Sequence, residues 1–158
     1  MLVLRAIEVQ DNPAVAQLIR TSLEEFGLDK PGTAYCDPQL DNLSAYYAHL
    51  DRAAYFVIEE SGEIVGSGGF APISRDIAEL QKLYVASNQR GKGISSRILK
   101  KIFAEAKKEG YQKLYLETAN ELSAAVAVYE HFGFKRLEKP LPNEAGHTAM
   151  DIWMLKSL

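Results

Sequence analysis

Arg90-Gly91-Lys92-Gly93 stands between a strand-like run, Glu79 to Val85, and an amphipathic stretch that begins at about Ile94. Two glycines at the mouth of a helix let the backbone come close to a ligand. The first helical turn presents unpaired N–H groups and the positive end of the peptide dipoles. In the order strand, basic glycine loop, helix, these features make an anion site, and phosphate is the expected anion. Arg90, Lys92, Arg97, Lys100 and Lys101 fall within twelve residues that contain no acid. Arg90 and Lys92, beside the glycines, are expected to touch phosphate, whereas Lys100 and Lys101 read as a solvated helix face. Two other phosphate loops are excluded. A Walker A loop would place glycine where Ala86 stands and Ser or Thr where Gly93 stands. A dinucleotide fingerprint opens its fold with the strand–turn–helix unit, and this loop lies mid-chain.

Leu83-Tyr84-Val85 followed by Arg90-Gly91-Lys92-Gly93-Ile94 resembles motif A of the GNAT superfamily of acyl-CoA-dependent N-acetyltransferases, which runs Arg/Gln-x-x-Gly-x-Gly/Ala. Ala125 to Phe134 resembles the family's motif B, with Tyr129 four residues before Gly133-Phe134. The two blocks stand in family order and at family-like spacing, and the resemblance extends more weakly over nearly the whole chain. It implies the GNAT fold, an α/β (α+β) domain with a mixed central sheet of about seven strands, about four helices and a splayed parallel strand pair. It also implies acetyl-CoA as co-substrate and no metal. The pantetheine would lie between the strands containing Leu83-Tyr84-Val85 and Leu114 to Thr118, bonded to their backbone. The CoA-binding positions are then Leu83, Tyr84, Val85, Arg90, Gly91, Lys92, Gly93, Ile94, Ser95, Ser96, Thr118 and Tyr129. Ser95 takes a slot that is normally Gly or Ala, and its hydroxyl suits phosphate. Leu122 takes a slot where many members carry an asparagine; Asn120 is two positions off, so no asparagine contact is assigned.

Acetyl transfer to an amine makes three demands. Something must accept the amine's proton, a donor must stabilise the tetrahedral oxyanion, and the leaving thiolate is expelled more easily if protonated. A backbone N–H near Leu83 to Val85 would face the thioester oxygen. Tyr129 matches the family tyrosine that donates to the CoA sulfur; the alternative is a core aromatic, although its hydroxyl needs a partner. Glu79, four residues before Leu83, matches the family's glutamate base, and strand alternation puts Glu79, Gln81 and Leu83 on one face. A solvated glutamate at a strand start is the competing reading, and Glu79→Gln should flatten the acidic limb of the pH–rate profile if the base is Glu79. His147, after Gly146 and before the last strand, is the other base candidate and borders the acceptor pocket. That pocket would be walled by residues 26–47 and 140–150, with Tyr35, Asp37, Tyr46 and His147 as substrate-binding candidates; Tyr47 reads as core. His49 and His131 read as surface or packing residues. No His, Cys, Asp and Glu cluster has metal spacing.

These groups must be carried by elements. Leu2 to Ile7 reads as a strand. Asp11 can cap a helix from about Asn12 to Phe26, with Val15, Leu18, Ile19, Leu23 and Phe26 on its apolar face. Gly27 to Pro38 reads as a loop, Gln39 to Leu50 as a second helix. Tyr55 to Ile58 and Ile64 to Phe70 form a hairpin about Ser61-Gly62, and Leu80 to Val85 follows as a strand. Residues 92–109 read as a helix stopped by Gly110, and Leu114 to Leu116 as the strand after it. That strand–helix–strand unit implies a parallel pair. A short helix, Leu122 to Phe132, and strands at Phe134 to Leu137 and Ala149 to Leu155 complete the order β-α-α-β-β-β-α-β-α-β-β.

At 158 residues the chain suits one domain, residues 1–158, with a core of its own. The net charge of −3 argues against a general nucleic-acid binder. Nothing resembles a signal peptide or a membrane span. One cysteine, Cys36, excludes an internal disulfide and fits a reducing cytoplasm. The expected partner is a small-molecule amine, an amino acid or a related compound, with no nucleic acid, no membrane and a possible homodimer through the last strands. The competing functional readings are a non-catalytic CoA-binding sensor and an acetyltransferase of peptide or protein N-termini.

Overall fold

The computed structural model describes residues 1–143 and 146–158. Seven strands form one sheet: β1 (Leu2–Ala6), β2 (Ala54–Glu60), β3 (Glu63–Pro72), β4 (Ile77–Val85), β5 (Lys113–Thr118), β6 (Lys135–Arg136) and β7 (Ile152–Ser157). Four α-helices accompany them: α1 (Asn12–Glu25), α2 (Leu43–His49), α3 (Ile94–Lys108) and α4 (Ser123–His131). The spatial order is β1-β2-β3-β4-β5-β7-β6. All neighbours are antiparallel except β4 and β5, the pair joined through α3. The expected element order and mixed sheet are both found.

Each sheet face is covered by helices, and β2 shows the period-two logic. Phe56 and Ile58 join Ile98, Leu99 and Ile102 of α3 in one core, whereas Tyr55 and Val57 join Val15, Ile19, Leu43 and Tyr47 of α1 and α2 in the other.

The parallel pair is joined only over Ile77↔Lys113, Ala78↔Leu114 and Glu79↔Tyr115. Beyond Glu79 the strands part, and β5 keeps its pairing with β7 along its whole length. The splay expected of the central strands is therefore present.

Between β3 and β4 the register runs Phe70↔Leu80, Gly69↔Gln81, then Ser67↔Tyr84, so Lys82 and Leu83 together oppose Gly68. This is a β-bulge. Lys82 adopts φ 52, a left-handed conformation that side chains seldom accept. The buried Tyr55 hydroxyl lies 2.7 Å from the Lys82 carbonyl and 2.9 Å from Ser67 Oγ. Its single proton goes to the carbonyl, and Ser67 can donate to it in turn. Gly68 is required opposite: a Cβ there would come within 2.9 Å of Leu83 Cδ1 and 3.1 Å of Ile98 Cγ2.

The bulge overturns one expectation. Leu83 does not share a face with Glu79 and Gln81, because the extra residue shifts it onto the α3 side with Leu80. Smaller departures have local causes. Asp11 does not cap α1; its carboxylate accepts from Arg5 and from the Glu8 amide. The helix expected at 92 begins at Ile94, since Gly91 and Gly93 hold φ 81 and 76. The second helix is shorter than expected: a 3₁₀ turn, Leu40–Asn42, precedes it, and Asn12 Oδ1 accepts the Ser44 amide at 3.0 Å.

Candidate active site

The parting of β4 and β5 opens a cleft of about 330 Å³. Its walls include Leu83, Tyr84 and Val85 of β4, Leu116 and Thr118 of β5, and Val128 and Tyr129 of α4. Arg90, Gly91, Gly93, Ile94 and Ser95 close it at the start of α3. Glu79, Gln81, Lys82, Glu117 and His147 bring the titratable and amide groups. Of the sequence-predicted CoA-binding positions only Lys92 and Ser96 are not on the lining; Lys92 Nζ instead bonds Gln89 Oε1 at 3.1 Å.

The start of α3 fits an anion. No side chain caps it, and a Cβ at Gly91 or Gly93 would meet nothing within 4 Å, so these glycines serve backbone conformation rather than packing. The leading amides of this helix are thus free to bond water or a ligand. Arg90 is engaged locally: its guanidinium pairs with the Glu25 carboxylate and lies 5.3 Å from the Phe26 ring centre.

Tyr129 is buried, its ring 5.7 Å from that of Phe134, and its hydroxyl has no hydrogen-bond partner among the described residues. Burial pushes its pKa up, so it is a neutral hydroxyl at working pH and can give a proton rather than hold a charge.

Glu79 is also buried. Gln81 Nε2 donates to one carboxylate oxygen at 2.7 Å and Asn143 Nδ2 to the other at 2.8 Å. Burial raises its pKa, opposed by those two hydrogen bonds, and the nearby Glu117 carboxylate adds to the rise. Tyr47 donates to Gln81 Oε1 at 2.6 Å, so this core tyrosine also orients the amide that holds Glu79.

A second constellation surrounds His147. Its Nε2 lies 3.0 Å from both oxygens of Asp37, and Lys82 Nζ lies 2.7 Å from Asp37 Oδ2. The His147 backbone amide donates to Glu117 Oε1 at 3.0 Å, while Tyr115 donates to the other Glu117 oxygen at 2.8 Å. For Asp37, burial works upward, but the His147 hydrogen bond and the Lys82 charge outweigh it and leave the pKa lowered.

Asp37 and Tyr46 do not line the cleft but stand behind it. Asp37 does so through Lys82 and His147; Tyr46 packs edge-on against Tyr47 at 5.1 Å. Tyr35 is turned elsewhere, donating to Glu24 of α1 at 2.8 Å, because the 3₁₀ turn Ala34–Cys36 carries it over that helix. Sequence reading missed Lys82, Glu117 and Asn143. Lys82 had one visible signal, a lone cation within an otherwise apolar strand end. Among the described residues no group of three or more His, Cys, Asp and Glu side chains is arranged to hold a metal ion, and no helix is long and apolar enough to cross a membrane.

A protein-family model described as the acetyltransferase (GNAT) family matches residues 14–134. An Escherichia coli (strain K12) protein named Uncharacterized N-acetyltransferase YjgM is 40% identical over 161 residues, covering 99% of this chain and 95% of that protein. The crystal structure of a GNAT-family acetyltransferase from Staphylococcus aureus Mu50 superposes with a TM-score of 0.91 at 18% identity, covering 100% of this chain and 99% of the other. PaiA N-acetyltransferase from Thermoplasma acidophilum, solved in complex with coenzyme A, gives a TM-score of 0.78 at 18% identity, with coverage of 100% and 99%.

Proposed function

Because this chain belongs to the GNAT family and is an N-acetyltransferase, we propose that it moves the acetyl group of acetyl-CoA to a primary amine of a small molecule by direct attack in a ternary complex. The observation that carries this reading is the placing of Tyr129, Glu79 and His147 on one cleft between separated parallel strands. A proton donor for the leaving thiolate and acceptors for the amine's proton then share one space.

In this reading the uncapped start of α3, with Gly91 and Gly93, takes the CoA phosphates, aided by Arg90 once it leaves Glu25. The unpaired edges of β4 and β5 beyond Glu79 hold the pantetheine, leaving Leu83 to Val85 and Thr118 alongside it. Main-chain amides of the bulged segment stabilise the oxyanion. The amine enters from the side of Glu79, Glu117 and His147, where the two glutamate carboxylates suit an incoming ammonium. Tyr129 protonates the departing sulfur.

The test is release of CoA thiol from acetyl-CoA over a panel of amino acids, polyamines, aminoglycosides and short peptides. Turnover with one small-amine class supports the reading and identifies the acceptor. Turnover with peptides alone redirects it to chain termini. Acetyl-CoA raising the melting temperature without turnover on any amine refutes it in favour of a CoA-binding module.

A further inference from the structure

Glu79, Glu117, Glu121 and His147 line the cleft and can accept a proton. Glu117 is already engaged by the His147 amide and the Tyr115 hydroxyl and Glu121 is exposed, and the surroundings of Glu79 and His147 separate those two. We propose that His147 Nδ1 is the atom that takes the acceptor amine's proton, and that Asp37, itself held by Lys82, is the residue that positions it. The proposal rests on the acetyltransferase reading above and assigns a base within it.

The geometry of the ring fixes its tautomer. Nε2 is 3.0 Å from Asp37 Oδ1 and Oδ2, and an ionised carboxylate only accepts hydrogen bonds. The hydrogen is therefore on Nε2, and the neutral ring keeps its lone pair on Nδ1. Among the described residues no hydrogen bond is made to Nδ1, while the ring, 23% exposed, borders the cleft. The main chain at His147 is also held, through its amide to Glu117. An imidazole tied at one nitrogen and open at the other is the arrangement of an oriented base.

Lys82 explains why Asp37 is reliable in this role. Its side chain is only 4% exposed, and a buried ammonium requires an anion beside it. Asp37 is thereby kept ionised, and its carboxylate is fixed between the Lys82 ammonium and the His147 imidazole. Residues 37, 82 and 147 come from a loop, a strand bulge and the approach to β7, so the trio exists only in the folded chain.

Glu79 is less suited to the task. Each of its oxygens already accepts an amide hydrogen, from Gln81 and from Asn143, and a proton arriving on either must compete with that bond. Glu79 instead supplies fixed negative charge to the incoming ammonium. The charged groups facing His147 are Asp37, Lys82 behind it, Glu117 and Glu79.

Nδ1 takes one proton from the bound ammonium, giving imidazolium and neutral amine. The amine lone pair forms the N–C bond at the thioester carbonyl, and the C–S bond breaks. The new nitrogen loses its surplus proton to solvent, and the thiolate takes one from Tyr129, which recovers it from solvent. The imidazolium then releases its proton to solvent. Ammonium and thioester yield amide, thiol and one proton.

The test uses the pH dependence of kcat/KM with the acceptor found in the amine panel. His147→Gln is expected to lower kcat/KM about 100-fold or more near neutrality and to abolish the acidic limb. Asp37→Asn should move that limb to lower pH, and Lys82→Met should move it to higher pH, because they remove opposite charges near one ring. A structural role would move stability but not displace the limb in opposite directions. Should either single variant fail to fold, Asp37→Asn with Lys82→Met removes both charges together and is expected to fold with the limb moved to lower pH by less than in Asp37→Asn, since the Asp37 charge lies nearer the ring; a limb moved to higher pH counts against the dyad. Glu79→Gln should keep the limb. Long-range ¹H–¹⁵N spectra of the wild type, with His147 assigned from His147→Gln, should show the neutral ring protonated at Nε2. A ring protonated at Nδ1, a limb lost in Glu79→Gln, or a wild-type profile in His147→Gln overturns the dyad while leaving the enzyme reading intact. No acetylation of any amine by the wild type defeats the enzyme reading itself, and the spectra still report the dyad.

Discussion

Tyr129→Phe separates chemistry from packing because the hydroxyl and the ring have different partners. The ring stays against Phe134, and the hydroxyl gives up no hydrogen bond to any described residue. Stability should therefore change by no more than about 0.5 kcal/mol, or a melting shift of roughly 1–2 °C for a chain of this size. Activity should respond very differently. A positioned proton donor contributes about 10²–10⁴ in rate, so kcat should fall at least ~100-fold, equivalent to about 2.7 kcal/mol of transition-state stabilisation. Burial holds the Tyr129 pKa above its ordinary value, so the hydroxyl is protonated throughout the working range and the loss should not vary with pH there. Steady-state thiol release at saturating acetyl-CoA measures kcat, and a thermal melt of the same preparation measures stability. An unchanged kcat would remove Tyr129 from the mechanism. A melting loss of about 5 °C or more would show that the hydroxyl is structural, and the assignment of an acid would fail.

Four further substitutions, one of them a control, reach the framework of the fold and of the cleft. Tyr55→Phe leaves the Lys82 carbonyl and the Ser67 hydroxyl without their buried partner; it should cost about 2 kcal/mol and lower the melting temperature by roughly 4–8 °C, and an unchanged melt would show that the bulge does not depend on this bond. Gly93→Ala places a side chain at φ 76 and should lose about 1–2 kcal/mol together with CoA affinity by calorimetry. Gly62→Ala, at φ 82 in the β2–β3 turn, should lose similar stability but keep CoA affinity, and equal effects of the two on CoA would refute a phosphate role for the loop. Asp11→Asn probes pH linkage. The Arg5 hydrogen bonds lower the Asp11 pKa, so its stabilisation is complete above the ordinary aspartate range near 3.9 and is lost as pH falls through the lowered native value. Urea melts should show Asp11→Asn weaker by about 2 kcal/mol at pH 7, the gap closing well below pH 4; a gap that persists in acid would refute the charge-based account.

What was legible in the sequence was what local chemistry dictates. Ile94, Ile98 and Ile102 at helical spacing announce α3, and Gly110 ends it at φ 92. The strand–helix–strand order around it forces the parallel pair, and with it the cleft. Glu79, Tyr129 and His147 could be singled out because each sits beside such a landmark. The Asp37–Lys82–His147 trio could not, since its members are joined only by the way β4 bends toward the loop after α1. Tyr35 and Asp37 are two residues apart in one loop, yet a single 3₁₀ turn sends one to Glu24 and the other to Lys82. Strand alternation was a sound rule for Glu79 and Gln81 and failed at Leu83, because period two holds only while no residue is inserted.

That insertion links the fold to the chemistry. In an unbulged β4, alternation would send Lys82 to the α3 face with Leu80, beside Ile98, where a cation has no anion, and would turn Leu83 toward Glu79. The bulge exchanges the two: Leu83 completes the α3 core, and Lys82 reaches Asp37. The left-handed φ of Lys82 costs about 1–2 kcal/mol. The buried Tyr55 hydrogen bond, worth about 1 kcal/mol net, and the Asp37 ion pair offset it. The β4–β5 pairing already stops at Glu79, three residues earlier, so the same strand leaves its parallel neighbour and then turns a cation toward Asp37. Strand splay alone would give a slot for a thioester. The bulge is what brings Lys82, paired with Asp37 and through it with His147, to that slot, and Gly68 is glycine because the turned backbone and Leu83 leave no room for a side chain opposite.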